Sequence, residues 1–206
     1  MSPRRLPLLL ERDLHEVQAE KLERSDAFVA GLRSRGLAMS CSSGCSNCCL
    51  HPVMISLLEG LQLFRWLAER GEWTAELRTN LYKHAKQTWG LAQEMWFLSA
   101  IPCPFLDTDK CAIYEGRPFV CRMTWSVSDP ADCHPHHFGP RTGIVPRAEE
   151  VEDFHRLEAR KLREHGLVAV QLPISKAVLV AEEIVSGKLA LEAVGPALAK
   201  EYGDIV

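Results

Sequence analysis

No stretch of this 206-residue chain approaches the ~20 consecutive apolar residues that a membrane-spanning helix needs. The short run Leu6–Leu10 is interrupted by Pro7 and closed by Glu11. It is shorter than the ~7–15-residue apolar core of a secretory signal. Basic charge is not in surplus either: 24 Lys and Arg stand against 27 Asp and Glu, for a net charge of −3. The two signs are interleaved, so the basic stripe expected of a nucleic-acid-binding face is missing. Also lacking are a phosphate-binding glycine loop, a G-x-S-x-G nucleophile elbow and an H-E-x-x-H zinc motif. Strand-like alternation is nearly absent. These absences set membrane and nucleic acid aside as partners and point to a cytoplasmic protein. With 47% hydrophobic residues, the chain has enough apolar material to bury roughly 70% of its unfolded surface.

Cysteine is absent before Cys41, between Cys49 and Cys103, and after Cys133. All eight cysteines therefore fall in two groups. The first reads Cys41-x3-Cys45-x2-Cys48-Cys49, and the second Cys103-x7-Cys111-x9-Cys121-x11-Cys133. Short spacing is what a metal ion or an iron–sulfur cluster requires, because several thiolates must converge on one point. A framework of four disulfides is the competing reading, but disulfides are rare in the cytosol.

The intervening sequence is helical. Residues 8–36 form a charged amphipathic pattern with Leu10, Leu14, Val17, Val29 and Leu32 as candidate buried positions, closed by Gly36. Ser56-x-x-Glu59 has the form of a capping box. It opens a helix to about Arg70 with Leu57, Leu61, Phe64 and Ala68 on one stripe. A second pattern covers 73–100, with Leu77, Leu81, Ala85, Trp89, Ala92 and Trp96 at helical spacing, and Pro102 ends it. At 1.5 Å per residue these helices would span ~21 Å and ~42 Å. The lengths match if the second breaks near Gly90, so that the hairpin returns the chain to the first cysteine group. Residues 103–114 read as a short β-hairpin turning at Asp107–Lys110. Helices follow over 149–165, 174–187 and 189–202. The fold class is thus mainly α: a helical domain with an irregular Cys-rich loop region and at most a short β-hairpin. Three segments are expected: an N-terminal helix (1–37), a cysteine-cluster domain containing the helical hairpin (38–146), and C-terminal helices packing on the same core (147–206).

Cys45 and Cys48 have a common chelating spacing. The adjacent Cys48 and Cys49 are harder to place on one ion, because successive side chains diverge. Eight thiolates divide into two four-ligand sites, so two centres, or one cluster and one ion, are both open. All-cysteine ligation suits zinc and iron–sulfur alike. His51, His134 and His136 are further candidate ligands, with solvated loop residues as the simpler reading. Arg117 and Arg122 flank Cys121 and could ease the negative charge of a thiolate centre or pair with surface carboxylates. Cys41-x3-Cys45-x2-Cys48 also matches the cluster spacing of radical S-adenosylmethionine enzymes, but the strands of that barrel are missing.

These residues, with Pro102-Cys103-Pro104-Phe105-Leu106 and Cys111-Ala-Ile-Tyr114-Glu115-x-Arg117-Pro118-x-x-Cys121-Arg122, resemble the YkgJ-type cysteine-cluster family. The resemblance covers roughly 38–140, with Cys133 as the eighth cysteine and a first spacing of x3 where some members have x2. That family is described as zinc- or iron-chelating and is related to flagellin N-methylase. The resemblance implies that Cys41, Cys45, Cys48, Cys49, Cys103, Cys111, Cys121 and Cys133 bind iron–sulfur or zinc, in a redox, sensing or structural role. Two alternatives follow: a protein-modifying enzyme related to the flagellin lysine methylases, or a zinc-stapled module that binds a protein partner.

Overall fold

The computed structural model describes residues 6–42, 44–137, 144–145 and 148–202. Helix α1 spans Leu8–Ser34 and buries Leu10, Leu14, Val17, Phe28 and Leu32 along one stripe. Phe28 takes the buried place expected of Val29, which is half-buried. Among these apolar positions sits Asp13, which binds Lys161 Nζ at 2.9 Å and His165 Nε2 at 2.9 Å. Lys161 lies in the last turn of α6 (Ala148–Glu164) and His165 directly follows it, so a buried carboxylate ties the first helix to the sixth.

Strand β1 (Met54–Ser56) runs straight into α2 (Leu57–Glu69), and β6 (Gln171–Pro173) straight into α7 (Ile174–Val185). The two strands pair antiparallel with Ile55 opposite Leu172. This sets α2 beside α7 at the centre of the core. The helices approach closely because Gly60 has no side chain: a Cβ there would stand 2.7 Å from the carbonyl oxygen of Ala177. Ser56 caps α2, its Oγ accepting from Glu59 N at 3.1 Å. The reciprocal half of the capping box is absent, since Glu59 turns its carboxylate toward Phe119 N instead. Leu67, not Ala68, completes the buried stripe of α2.

The long helical pattern after α2 is broken as expected. Helix α3 (Ala75–Thr88) stops, Gly90 takes a φ of +67°, and α4 (Gln93–Ser99) begins after it. Trp89 and Ala92 are consequently exposed, whereas Leu81 and Trp96 are buried. The expected hairpin forms from β2 (Leu106–Asp107) and β3 (Lys110–Cys111). Helix α5 (Phe119–Met123) and the pairing of β4 (Trp125–Ser126) with β5 (Ile144–Val145) complete the cysteine-rich segment. The C-terminal helix α8 (Val194–Tyr202) adds Val194 and Leu198 to an apolar core that also takes residues from α1, α2, α3, α5, α6 and α7. No helix among the described residues is long and apolar enough to cross a membrane.

Two predictions follow from the core. Gly60→Ala should lower unfolding stability by roughly 1–3 kcal/mol through overpacking against Ala177. Gly31→Ala, with nothing within 4 Å of the added methyl, should be neutral or stabilising by up to ~1 kcal/mol; urea denaturation checks both. His84 is buried on α3, hydrogen-bonded to Ser175 Oγ at 2.9 Å, and burial lowers its pKa to about 4. The neutral ring therefore stabilises the fold fully above the unfolded value, and this is lost as pH falls from about 6.5 toward 4. Between pH 7 and 4 the wild type should lose roughly 3 kcal/mol more than His84→Gln.

Candidate metal centre

The first cysteine group lies on a series of tight turns. Cys45 N donates to Ser42 O at 3.1 Å, and Cys49 N to Ser46 O at 2.8 Å. Cys48 and Cys49 occupy a 3-10 turn over Asn47–Leu50. The second group is carried by four different elements. Cys103 precedes the β2–β3 hairpin, Cys111 closes it opposite Leu106, Cys121 sits in α5, and Cys133 ends a 3-10 turn over Pro130–Cys133.

Main-chain and side-chain bonds join the two groups. Cys103 N donates to Cys49 O at 2.7 Å. Asn47 Nδ2 donates to Pro130 O at 2.8 Å, and His51 Nε2 donates to the carbonyl of Cys133. Ser126 N donates to Cys41 Sγ at 3.2 Å. The helical hairpin thus returns the chain to the first group, and the eight cysteines occupy one region as free thiols.

Their electrostatics show how close they are. Burial pushes the Cys103 thiol up to about 12 and the Cys133 thiol up to about 11. The Cys48 thiol is raised first by its hydrogen bond to Cys49 and then by burial. Burial raises Cys41, Cys111 and Cys121 too. If ionised, Cys48 would add to the rise at Cys41, Cys103, Cys111, Cys121 and Cys133, so this one sulfur lies near members of both groups. Around it two subsets separate. Cys111 acts on Cys103, both act on Cys121, and Cys133 is acted on by Cys41 and Cys45.

The donor set fits a thiolate-bound metal. Desolvated thiols at this density cannot all ionise unless a cation neutralises them. Backbone N–H groups already point at three sulfurs: Phe105 at Cys103, Ile113 at Cys111 and Ser126 at Cys41. Such bonds stabilise ionised sulfur and tune a metal held by it. Arg117 supplies a positive charge that opposes the rise at Cys41, Cys48, Cys111 and Cys121. Its guanidinium is fixed 3.7 Å from the centroid of the Tyr114 ring, with Nε donating to Tyr114 O at 3.0 Å.

A cavity of about 460 Å³ opens beside the sulfurs, lined by Cys45, Cys48, Cys49, Cys103, Cys111 and Cys121. Its walls also include His51, Lys110, Tyr114 and Arg117. Of the sequence candidates, His51 and Arg117 are thus beside the sulfurs. Arg122 lies outside the cavity lining and instead clamps the loop before α5, donating from Nε to Arg117 O at 3.1 Å. His134 and His136 are outside it as well. Their rings face one another at 5.4 Å, and His136 Nε2 donates to Leu98 O at 2.9 Å. Ser126 was not signalled by sequence, and Lys110 and Tyr114 entered only as a turn residue and as part of the motif around Cys111. Lys110 and Tyr114 flank Cys111 in the chain, but Ser126 reaches Cys41 across 85 positions.

No curated protein and no solved structure matches the chain. One family does, over residues 40–156, which is more than half of the sequence and takes in all eight cysteines. Its description is "Putative zinc- or iron-chelating domain". The convergence of the cysteines and the matched span lead to one assignment: the chain belongs to the CxxCxxCC family of zinc- or iron-chelating domains.

Proposed function

We propose that the eight cysteines hold zinc or iron in two four-thiolate centres that divide the pair Cys48–Cys49 between them. Cys103, Cys111 and Cys121 supply one centre, and Cys41, Cys45 and Cys133 the other. The observation that carries this reading is that Cys48 and Cys49 line one cavity with Cys45 from one subset and Cys103, Cys111 and Cys121 from the other. Adjacent cysteines suit such a boundary, since neighbouring side chains diverge toward different metals. Zinc would supply Lewis acidity or a rigid cross-link, and an iron–sulfur centre would supply one-electron chemistry.

The cavity favours a working site over a purely structural one. Structural zinc sites are closed, whereas reactive ones keep an open face. A single ion needs about the volume of a water molecule, ~30 Å³; the cavity is an order of magnitude larger. The space could admit a small molecule or a side chain of a protein substrate beside the thiolates. This supports, as a second reading, a protein-modifying enzyme with Lys110, Tyr114 and Arg117 as its substrate-facing groups.

The test is metal and acid-labile sulfide content, with a visible spectrum, on protein purified without oxygen. Iron with matching sulfide and a brown colour identifies a cluster protein, and colourless protein with stoichiometric zinc identifies a zinc centre. Cys121→Ser and Cys133→Ser should each cut bound metal to roughly half, and Cys48→Ser should also reduce it. Stability should fall with metal in every case, because binding free energy here is folding free energy. Full metal content in all three variants would overturn the ligand assignment.

A further inference from the structure

Away from the sulfurs, three polar side chains meet in the interior under α6. Glu59 from α2, and His155 and Glu158 from α6, each offer one ligand atom, and these atoms lie within 4.8 Å of one another. His155 and Glu158 are three positions apart and so share a helix face. Glu59 is 1% exposed and Glu158 0%.

Each carboxylate has one oxygen anchored and one left over. Glu59 Oε1 accepts from Phe119 N at 2.7 Å and lies 3.7 Å from Lys21 Nζ. Glu158 Oε1 accepts from Ser56 Oγ at 2.6 Å. The second oxygen of each, Oε2, is buried without a hydrogen-bond partner, and so is Nε2 of His155. Burying one such atom is costly. Three clustered residues that each carry such an atom, with both carboxylates also anchored by neighbouring donors, make the arrangement of a metal site.

We infer that Glu59, His155 and Glu158 form a second metal site, separate from the cysteines, for a divalent ion of the manganese(II) or iron(II) kind. Two carboxylates and an imidazole, without sulfur, suit these harder ions. Three protein donors also leave coordination positions for water or a substrate atom. Three ligand atoms each ~2.1 Å from one ion stand at most ~3.6 Å apart when evenly spread, so atoms at the 4.8 Å limit would close by about 1 Å on binding. Lys21 offsets one of the two carboxylate charges. A proton shared between the Oε2 atoms could offset the other, but it would leave His155 Nε2 without a partner. A divalent ion satisfies all three atoms. Phe119, which anchors Glu59, lies two residues before Cys121 on α5, so the two sites share a structural support.

Manganese(II) is the probe, because it prefers oxygen and imidazole donors to thiolates. Full-length protein is titrated with manganese(II) while the free ion is followed by electron paramagnetic resonance. Wild type is expected to bind one manganese and to gain thermal stability from it. Glu158→Gln and His155→Gln should each weaken binding roughly tenfold or more and lose that thermal shift. Bound manganese should show the nitrogen coupling of one imidazole in its spin-echo spectrum, lost in His155→Gln, which separates this site from the thiolate centres. His155→Gln changes a half-buried position, so it decides the question if circular dichroism shows that Glu158→Gln does not fold. No manganese binding by wild type would overturn the inference. Equal binding by wild type and the folded variants, or bound manganese without imidazole coupling, would also overturn it.

Discussion

Sulfur atoms gathered in a desolvated region repel one another as soon as they ionise, and much of the surrounding structure makes that tolerable. Backbone N–H groups of Phe105, Ile113 and Ser126 face three of the sulfurs. Arg117 is pinned against Tyr114, where its charge reaches four cysteines. These are partial answers, because hydrogen bonds and one cation leave several thiols raised. A metal bound by these thiolates would complete the neutralisation and so couple metal loading to the order of the loops.

Those loops have little regular structure of their own and depend on the helical core. The first cysteine group leads within a few residues into β1 and α2, and α2 is held by α7 through the close approach at Gly60. The break at Gly90 shortens the return path, so that Cys103 meets Cys49 main chain to main chain. Asp13 binds α1 to α6 over the same core. The packing of the helices thus fixes where the thiols converge, although the helices themselves contribute only Cys121.

What could be read from the chain was what depends on near neighbours. The helix starting at Ser56, the break at Gly90 and the turn after Asp107 are local matters of capping, backbone freedom and turn chemistry, and each is present. The cysteine spacing likewise marked the region where the thiols meet. What escaped depends on distant partners. The β1–β6 ladder joins three-residue strands with no alternation to betray them. Glu59 looked like half of a capping box, because nothing local shows that its carboxylate faces His155 and Glu158 about a hundred positions away. His134 and His136 stood out beside Cys133, yet only His51, which reaches the Cys133 carbonyl across 82 positions, lines the cavity.

The buried carboxylates and the thiols offer different donors on a shared support, so metals bound at the two would be separable in principle. Sulfur selects zinc or iron–sulfur, and oxygen with imidazole selects harder ions. The central claim is that the family's metal is held by these cysteines. X-ray absorption at the edge of the metal that co-purifies with the protein tests it most directly. The account predicts a first shell of four sulfurs at about 2.3 Å if the metal is zinc, or a sulfur shell with an iron–iron scattering path if it is a cluster. A first shell dominated by oxygen and nitrogen would contradict it.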